Sequence, residues 1–411
     1  MEKNFIFMDA ISVTSPEAIS EPAVRADQKV SAVELPTYLY ATVLASFSIM
    51  IGLIWDISWH TSIGRDGLLS APHLAVYFGG VLAGIFSGIR VLKISFAGTE
   101  RQKQESLSFW GVFKGSLGAL FCIWGAFAML TSAPFDDWWH NTYGLDVTIL
   151  SPPHTVLLLG MLTIQFGAMI TVLSVKNRMK AAGLVNPKTE RLLRLFFALS
   201  SGFVLCMLFS IASEFLGRHD MHGVLFYQVS SFIFPLLLVA VSIAAPGKWG
   251  ASLAALVYTV FMAAMVWILP LFPAEPLLGP VLNPITNFQA FEFPLLLIFP
   301  ALAIDLITQK LSKNPWIMSL FYALAFLVVL FIFQYPFGDV LMSEFARNWF
   351  FGTESWYFGS SPDWIYRFAY AKEMESSGMV LVQGLLIALL VGYVSARLSM
   401  RWGKWMQSIM R

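Results

Sequence analysis

Long apolar stretches alternate with short polar ones along almost the whole chain. A helix that crosses a bilayer needs about 20 mainly apolar residues, and ten segments meet this requirement. They are residues 37–56, 71–92, 110–132, 152–174, 195–215, 224–245, 250–271, 290–308, 316–336 and 379–398. The pattern predicts an all-α fold: a polytopic membrane helix bundle of about ten transmembrane helices.

The polar stretches divide the chain into five parts. These are a polar N-terminal segment (1–36), a four-helix region (37–175), five further membrane helices (195–336), a long aromatic loop (337–378) and a last membrane helix with a basic tail (379–411). The N-terminal segment has no long apolar core followed by a small-residue cleavage site. We therefore expect no removed signal peptide and interpret residues 1–36 as a cytoplasmic segment.

Composition excludes an ordinary soluble protein. Of the 411 residues, 57% are hydrophobic and 12% are charged, whereas about a quarter of a soluble domain is charged. The net charge of +1 and the lack of a basic block argue against a nucleic-acid partner, so the lipid bilayer is the expected partner. Cys122 and Cys206 lie far apart within apolar runs, which predicts packing roles rather than a disulfide or a thiolate metal site.

The placement of positive charge predicts an orientation. If the N-terminus is cytoplasmic, the basic residues predicted outside the cytoplasm are Arg65, Arg218, Arg347, Arg367 and Lys372, and the other 21 of the 26 (26 − 5) lie on the cytoplasmic side. Positive residues concentrate on the cytoplasmic side of membrane proteins. We therefore predict a multi-pass protein of the plasma (inner) membrane with both termini in the cytoplasm.

The histidines are the most informative polar residues. All six fall in three pairs: His60 and His73, His140 and His154, and His219 and His222. On the predicted topology every pair lies at the outer face of the membrane. Histidines used only for scattered structural contacts would not gather in this way.

Two of these pairs belong to an internal repeat. Residues 55–73 (WDISWHTSIGRDGLLSAPH) align with 135–154 (FDDWWHNTYGLDVTILSPPH) after a one-residue gap. The copies share Asp, Trp, His, Gly, Asp, Leu, Ser, Pro and His, and each joins the outer end of one predicted helix to the start of the next. Since two spans separate the copies, they have the same orientation, which is the parallel type of membrane repeat.

Each copy supplies one carboxylate and two imidazoles. Asp56 and His60 are four residues apart and share a helix face, and the turn brings His73 back towards them. Such a group suits copper, zinc or iron. The equivalent set is Asp136, His140 and His154; the residues expected to orient the ligands or cap helices are Arg65, Asp66, Asp137 and Asp146. The alternative is a purely structural hairpin whose polar helix ends bond to each other.

A third polar cluster follows the fifth predicted span. Its candidate additional ligands are Glu214, His219, Asp220 and His222. Proton relay and simple solvation remain open for the two histidines, and Glu214 is also placed to pair with Arg218 four residues later. The aromatic loop at 337–378 is interpreted either as a partner-binding segment or as an interfacial aromatic belt.

The repeat resembles the C subunit of the copper membrane monooxygenases, the family of particulate methane monooxygenase and ammonia monooxygenase. The resemblance covers residues 37–175 and rests on Trp59, His60, Arg65, Asp66 and His73 in the first copy and on His140 and His154 in the second. Asp136 stands where the family has Asn. The chain also continues beyond the matched region with helices that have no counterpart in the resemblance.

The resemblance implies a copper enzyme that uses dioxygen to insert oxygen into a small apolar substrate, together with further subunits and an electron donor. The resemblance implies one copper site formed by Asp56, His60 and His73. Asp136 and His140 form a neighbouring site that shares His73. Two other functions remain open: a transporter of a transition metal or small molecule with an outward-facing site, and a non-catalytic anchor subunit of a redox complex. A homo-oligomer is also compatible with the sequence.

Overall fold

The computed structural model describes residues 35–65, 67–144, 151–310 and 314–411, and this part of the chain is almost entirely helical. Nine of its helices are long and apolar enough to cross a membrane. The helices are α1 (Thr37–Ser62), α2 (Ala71–Ala97), α3 (Glu100–Gln104), α4 (Leu117–Tyr143), α5 (Pro152–Ala181), α6 (Pro187–Ile211), α7 (Val224–Ala244), α8 (Gly250–Ile268), α9 (Ile298–Lys310), α10 (Pro315–Met342) and α11 (Gly378–Gln407). The predicted all-α polytopic bundle is confirmed.

The two copies of the repeat form two helical hairpins, α1–α2 and α4–α5, which pack against each other through α2 and α4. Helix α1 also contacts α5 and α6, and α1 and α5 are the more enclosed helices of the two hairpins. In the other half, α7 packs along α11, and both contact α10. A short antiparallel β-hairpin, Leu107–Phe109 with Phe113–Gly115, lies between α2 and α4 and was not predicted.

The structural equivalence of the hairpins extends beyond the aligned sequence. In the first hairpin a Cβ on Gly79 would lie 2.7 Å from the carbonyl oxygen of Ala45; in the second, a Cβ on Gly160 would lie 2.9 Å from that of Gly125. Small residues let two helix backbones approach closely, which is how membrane helices often associate. The same close approach therefore fixes both pairs of helices below their polar ends.

The predicted span at 290–308 has a different structure. Its first part is irregular, and α9 has only 13 residues, about 20 Å of helix against a hydrocarbon core of about 30 Å. The irregular backbone is bound by buried side chains: the amide of Leu295 donates to the hydroxyl of Tyr258, and that of Leu296 donates to the Oε1 atom of Gln334. Non-helical backbone at membrane depth needs such partners inside the protein.

Helix α8 is capped from another helix. Its first residue follows Trp249, which has a left-handed conformation and, among the described residues, provides no side-chain cap. Instead the carboxylate of Asp305, in α9, accepts hydrogen bonds from the amides of Ala251 and Ser252 and from the hydroxyls of Ser242 and Ser252. Asp305 is 1% exposed. It satisfies the unpaired amides at the start of α8 and joins three helices.

The loop between α10 and α11 folds back over the end of the bundle. Phe358 is buried, and its ring packs so closely on Gly64 that a Cβ atom at that position would lie 2.6 Å from the ring. Its amide donates to the carbonyl oxygen of Thr61, while its own carbonyl accepts from the amide of Leu282. The loop therefore covers the end of α1, at the same end of the bundle as the predicted metal ligands.

Candidate metal centre

Each hairpin turns at a glycine in an equivalent position. Gly64 follows α1 with a φ of 86°, and Gly144 follows α4 with a φ of 88°. Positive φ at the residue after a helix is the usual way for a helix to stop, and glycine adopts it without strain. The next helices begin near Pro72 and Pro153, because proline is well suited to the first turn of a helix. The sequence thus fixes where each hairpin returns.

In the first hairpin one carboxylate faces two imidazoles. The Nε2 atom of His60 lies 3.8 Å from Oδ2 of Asp56, and the Nε2 atom of His73 lies 3.4 Å from Oδ1 of the same residue. Asp56 and His60 come from the last turns of α1, and His73 comes from the first turn of α2. The predicted convergence of these three residues is present in the structure.

The second hairpin has the same arrangement. The Nε2 atom of His140 lies 3.5 Å from Oδ2 of Asp136, and the Nε2 atom of His154 lies 3.3 Å from Oδ1. One ligand atom from each of the three residues lies within 4.8 Å of the other two. The carboxylate and both imidazoles are only partly exposed to solvent, so a bound ion would be held at the edge of the protein interior.

Backbone carbonyl groups orient two of the histidine rings. The Nδ1 atom of His73 lies 3.0 Å from the oxygen of Gly67, and the Nδ1 atom of His140 lies 3.3 Å from the oxygen of Gly144. A carbonyl oxygen only accepts, so Nδ1 carries the proton in both rings. The Nε2 atom of the neutral ring then carries a lone pair, which is directed at the carboxylate. Metal-binding histidines are commonly held in this way.

The distances are compatible with a shared metal ion. An N–H···O hydrogen bond joins atoms about 2.7–3.2 Å apart, whereas the four nitrogen–oxygen distances run from 3.3 to 3.8 Å. Two ligands that each lie about 2.1 Å from a tetrahedral ion are about 3.4 Å from one another. A cation or a proton between the groups also removes the repulsion between the imidazole lone pair and the carboxylate.

The carboxylate of Asp136 has a further requirement. Its Oδ1 atom is buried and accepts no hydrogen bond from the described residues. A buried carboxylate oxygen without a donor is costly. A metal ion coordinated by this oxygen and by His140 and His154 would supply the missing interaction, so the residues present fit the predicted group.

The candidate ligands are divided between the two hairpins. The resemblance to the monooxygenase subunit implied that Asp136 and His140 share His73, but His154 is the residue that completes the metal-sized group with them. His73 faces Asp56 instead. The reason is local: each hairpin brings back its own histidine at the start of its own second helix.

The predicted orienting residues lie at the edge of the two sites. The carbonyl oxygen of Arg65 accepts from the indole of Trp59, and its side chain is exposed. Asp137 is exposed and accepts from the side chain of Asn141. Asp66 and Asp146 lie outside the described residues.

In the third cluster, His222 is part of an aromatic stack. Its ring lies between those of Tyr335 and Tyr370, with centroids 3.8 Å and 3.9 Å away. Its Nε2 atom lies 3.1 Å from the carbonyl oxygen of Tyr335 and 3.4 Å from the carboxylate of Asp339, which also accepts from the hydroxyl of Tyr370. His222 therefore joins α7, α10 and the loop, and these contacts are structural.

The other members of the third cluster separate from one another. Arg218 is 6% exposed and donates to the carbonyl oxygen of Thr353 rather than pairing with Glu214, which is exposed. The Nδ1 atom of His219 donates to the carbonyl oxygen of Ala369. Burial raises the pKa of Asp220, with Glu292 acting in the same direction and His219 opposing it. Within the described residues these side chains do not form a metal-sized group with the others.

Sequence reasoning missed the partners of the third cluster. Asp339 and Tyr370 complete the environment of His222 from more than one hundred residues away along the chain. The local signal was the polar loop with its aromatic residues, but nothing in its spacing indicated which histidine it would meet.

The chain was compared with known proteins, and no protein-family model, curated protein or solved structure matches it.

Proposed function

We propose that this membrane protein binds one transition-metal ion in each of two equivalent Asp–His–His sites. The observation that carries the proposal is the convergence of Asp136, His140 and His154, whose ligand atoms lie within 4.8 Å of one another. The same set of residue types converges in the first hairpin at Asp56. Two independent turns that produce one arrangement are better explained by a shared ligand than by helix capping alone.

We further propose copper as the metal and, as the reaction, insertion of one oxygen atom of dioxygen into a small apolar substrate, with a separate electron donor supplying the two electrons that reduce the other atom to water. Zinc and iron fit the same donor set, and the resemblance to the copper membrane monooxygenases favours copper. Copper would supply the redox chemistry, and two imidazoles with one carboxylate leave a coordination position open. The chain's own contribution is to hold the imidazoles of His73 and His140 by their Nδ1 protons and to keep the site where lipid-soluble substrates partition.

The proposed orientation places both sites at the outer face of the plasma membrane. The support is the concentration of basic residues at the opposite ends of the helices, around the α2–α4 and α5–α6 connections. Cysteine substitution at the two ends checks it: a membrane-impermeant thiol reagent added to intact cells should label a cysteine at Arg65 and not one at Lys180. The reverse labelling would overturn this orientation.

Metal analysis with electron paramagnetic resonance on the purified full chain tests the metal proposal. The wild type should bind close to two copper ions per chain, and His73→Ala and His154→Ala should each remove one. His219→Ala is the matched control, because this histidine lies outside both sites, and it should retain both ions. Full-length, folded protein that binds no copper, zinc or iron would overturn the proposal.

A permease is the second candidate function, and the broken segment before α9 favours it. Transporters commonly place unwound backbone at the substrate site near the bilayer midplane. Here the amides of Leu295 and Leu296 are already bound by Tyr258 and Gln334, which suits a closed state. Metal-dependent uptake into vesicles that contain the purified chain, abolished by His73→Ala, would support transport. Vesicles that bind copper without accumulating it would exclude it.

A further inference from the structure

A cavity lies beside the end of α1 that carries the first Asp–His–His set. It has a volume of about 230 Å³ and is lined by Ile57 and Thr61 of α1, by the turn that contains Arg218 and His219, and by residues of the 290–293 segment and the folded loop. Asp56 and His60 neighbour Ile57 and Thr61 along the helix, but their side chains do not line this cavity. It is therefore separate from the metal sites.

Three polar atoms on the residues that line this cavity have no hydrogen-bond partner among the described residues. They are Nε of Arg218, Nε2 of His219 and Nε1 of Trp356, and all three atoms are buried. Buried polar groups in folded proteins are nearly always hydrogen-bonded, and each exception calls for an explanation. Three exceptions around one cavity indicate a ligand that supplies the missing partner.

The unpartnered atoms favour a ligand with an acceptor group. The guanidinium Nε–H and the indole Nε1–H are donors only. Arg218 is more than nine-tenths buried and already donates to the carbonyl oxygen of Thr353, which holds it in place at the cavity wall. Because Nδ1 of His219 donates to the carbonyl oxygen of Ala369, its Nε2 atom is an acceptor when the ring is neutral and a third donor when the ring is protonated.

Arg218 is one of three arginines that meet at the ring of Phe368, and of these three it is the one that lines the cavity. The guanidinium groups of Arg218, Arg347 and Arg367 all lie against the ring of Phe368, at 5.9, 4.0 and 5.3 Å from its centroid. Burial lowers the pKa of Arg367, and the neighbouring Arg218 and Arg347 lower it further, while Glu354 raises it. Arg347 pairs with Glu344. An anion in the cavity would add to this partial compensation of the positive charge.

One acidic residue also lines the cavity. Glu292 contributes to the wall and raises the pKa of Arg218, while burial, the larger effect, lowers it. The described residues contain no ion pair within 4.0 Å between these two side chains. The Arg218 guanidinium can therefore also bind an anionic ligand. The negative charge of Glu292 would repel that ligand and weaken its binding.

Much of the remaining wall is apolar, and Thr61, Thr353, Ser355 and Tyr357 add hydroxyl groups. Phe291, Phe293, Phe351 and Leu341 surround the space next to the polar atoms. A pocket with an apolar wall and a few convergent polar groups is typical of a small-molecule site. We propose that this cavity binds a small carboxylate with a short hydrocarbon chain, whose oxygen atoms accept from Arg218 and Trp356 and whose chain lies against the phenylalanine rings.

Calorimetric titration of the metal-free, detergent-solubilised full chain tests the proposal independently of the metal sites. Butyrate is the probe, butyramide is its neutral counterpart of the same shape, and inorganic phosphate represents an anion without a hydrocarbon chain, as in a lipid headgroup. Butyrate should bind at least tenfold more tightly than the other two. Failure to bind butyrate, or equal binding of butyramide or phosphate, would overturn the assignment.

Three variants locate the binding. Trp356→Phe keeps an aromatic ring but removes the indole donor, and should weaken butyrate binding about tenfold, as expected for a hydrogen bond to a charged group. Glu292→Gln removes the like charge and should tighten binding. Trp124→Phe, at an exposed position on α4, should leave it unchanged. Butyrate affinity that is the same in Trp356→Phe and the wild type would show that butyrate binds elsewhere.

Discussion

The ring of His73 is held by Gly67: its Nδ1 atom lies 3.0 Å from that residue's carbonyl oxygen, on the turn before α2. The other nitrogen of the ring is thereby presented to Asp56. His140 and Gly144 have the corresponding relationship in the second hairpin. In both sites the turn of the hairpin orients an imidazole as well as reversing the chain.

The carboxylates should control one metal site each. In Asp136→Asn the amide keeps the shape of the side chain but loses the negative charge, so the second site should lose its ion at moderate metal concentration while the first is retained. Copper content measured after dialysis should fall from about two ions per chain to about one. Asp137→Asn, one residue away and exposed, is the matched control. Equal loss in both variants would contradict the role of Asp136, and loss of both ions in Asp136→Asn would contradict separate sites.

The close approach of α1 and α2 should depend on Gly79. In Gly79→Ala the new methyl group would meet the backbone carbonyl of Ala45 at 2.7 Å, so the helices must move apart, at a cost of about 1–3 kcal/mol. Gly88→Ala, in the same helix with open space around it, should not destabilise the protein. Thermal unfolding in detergent measures the difference, and equal melting temperatures would argue against this packing.

The cap of α8 should be a major source of stability. Asp305→Ala leaves the buried amides of Ala251 and Ser252 without their acceptor, and each unsatisfied group costs about 1–3 kcal/mol. We expect a loss of at least 2 kcal/mol. Replacement of the exposed Glu100 by Ala should change stability little. Chemical denaturation followed by tryptophan fluorescence gives both values.

His222 should be required for packing and dispensable for metal binding. His222→Leu removes the stack between Tyr335 and Tyr370 and the contact with Asp339, so the loop should become more sensitive to protease. Copper content should stay at the wild-type value. A loss of one ion in this variant, with the loop still resistant, would assign His222 to a metal site instead.

Metal removal should lower the stability of the protein. An ion that binds only the folded chain stabilises it by about 2.7 kcal/mol at a free concentration one hundred times its dissociation constant. Chelation should therefore reduce the melting temperature of the wild type. The double variant Asp56→Asn with Asp136→Asn should show no such change. A chelator effect of the same size in both proteins would mean that the ion is bound elsewhere.

The metal-site region is the part that sequence predicts best. Asp136 and His140 are one helical turn apart, and Pro153 marks where the next helix begins, so the convergence of the hairpin follows from local rules. The duplication then supplies an independent copy. The pairing of histidines with carboxylates is also set locally, because the hairpin geometry places His154 beside Asp136.

Long-range partners are what sequence reasoning could not supply. Hydropathy counts apolar residues, so it assigned 290–308 to a full span; whether Leu295 is helical depends on its hydrogen bond to Tyr258 in another helix. The role of Asp305 likewise depends on its hydrogen bonds to the start of α8. The stack around His222 depends on a loop that returns to it after four further helices.

The division of ligands between the hairpins bears on the biogenesis of the protein. Asp56, His60 and His73 belong to one continuous stretch of chain, and so do Asp136, His140 and His154. Each set is complete once its own pair of helices has left the ribosome and entered the bilayer. Under the proposed function, metal loading would proceed in two stages during synthesis, each ahead of the C-terminal half. A nascent chain truncated after α5 retains every one of these six groups.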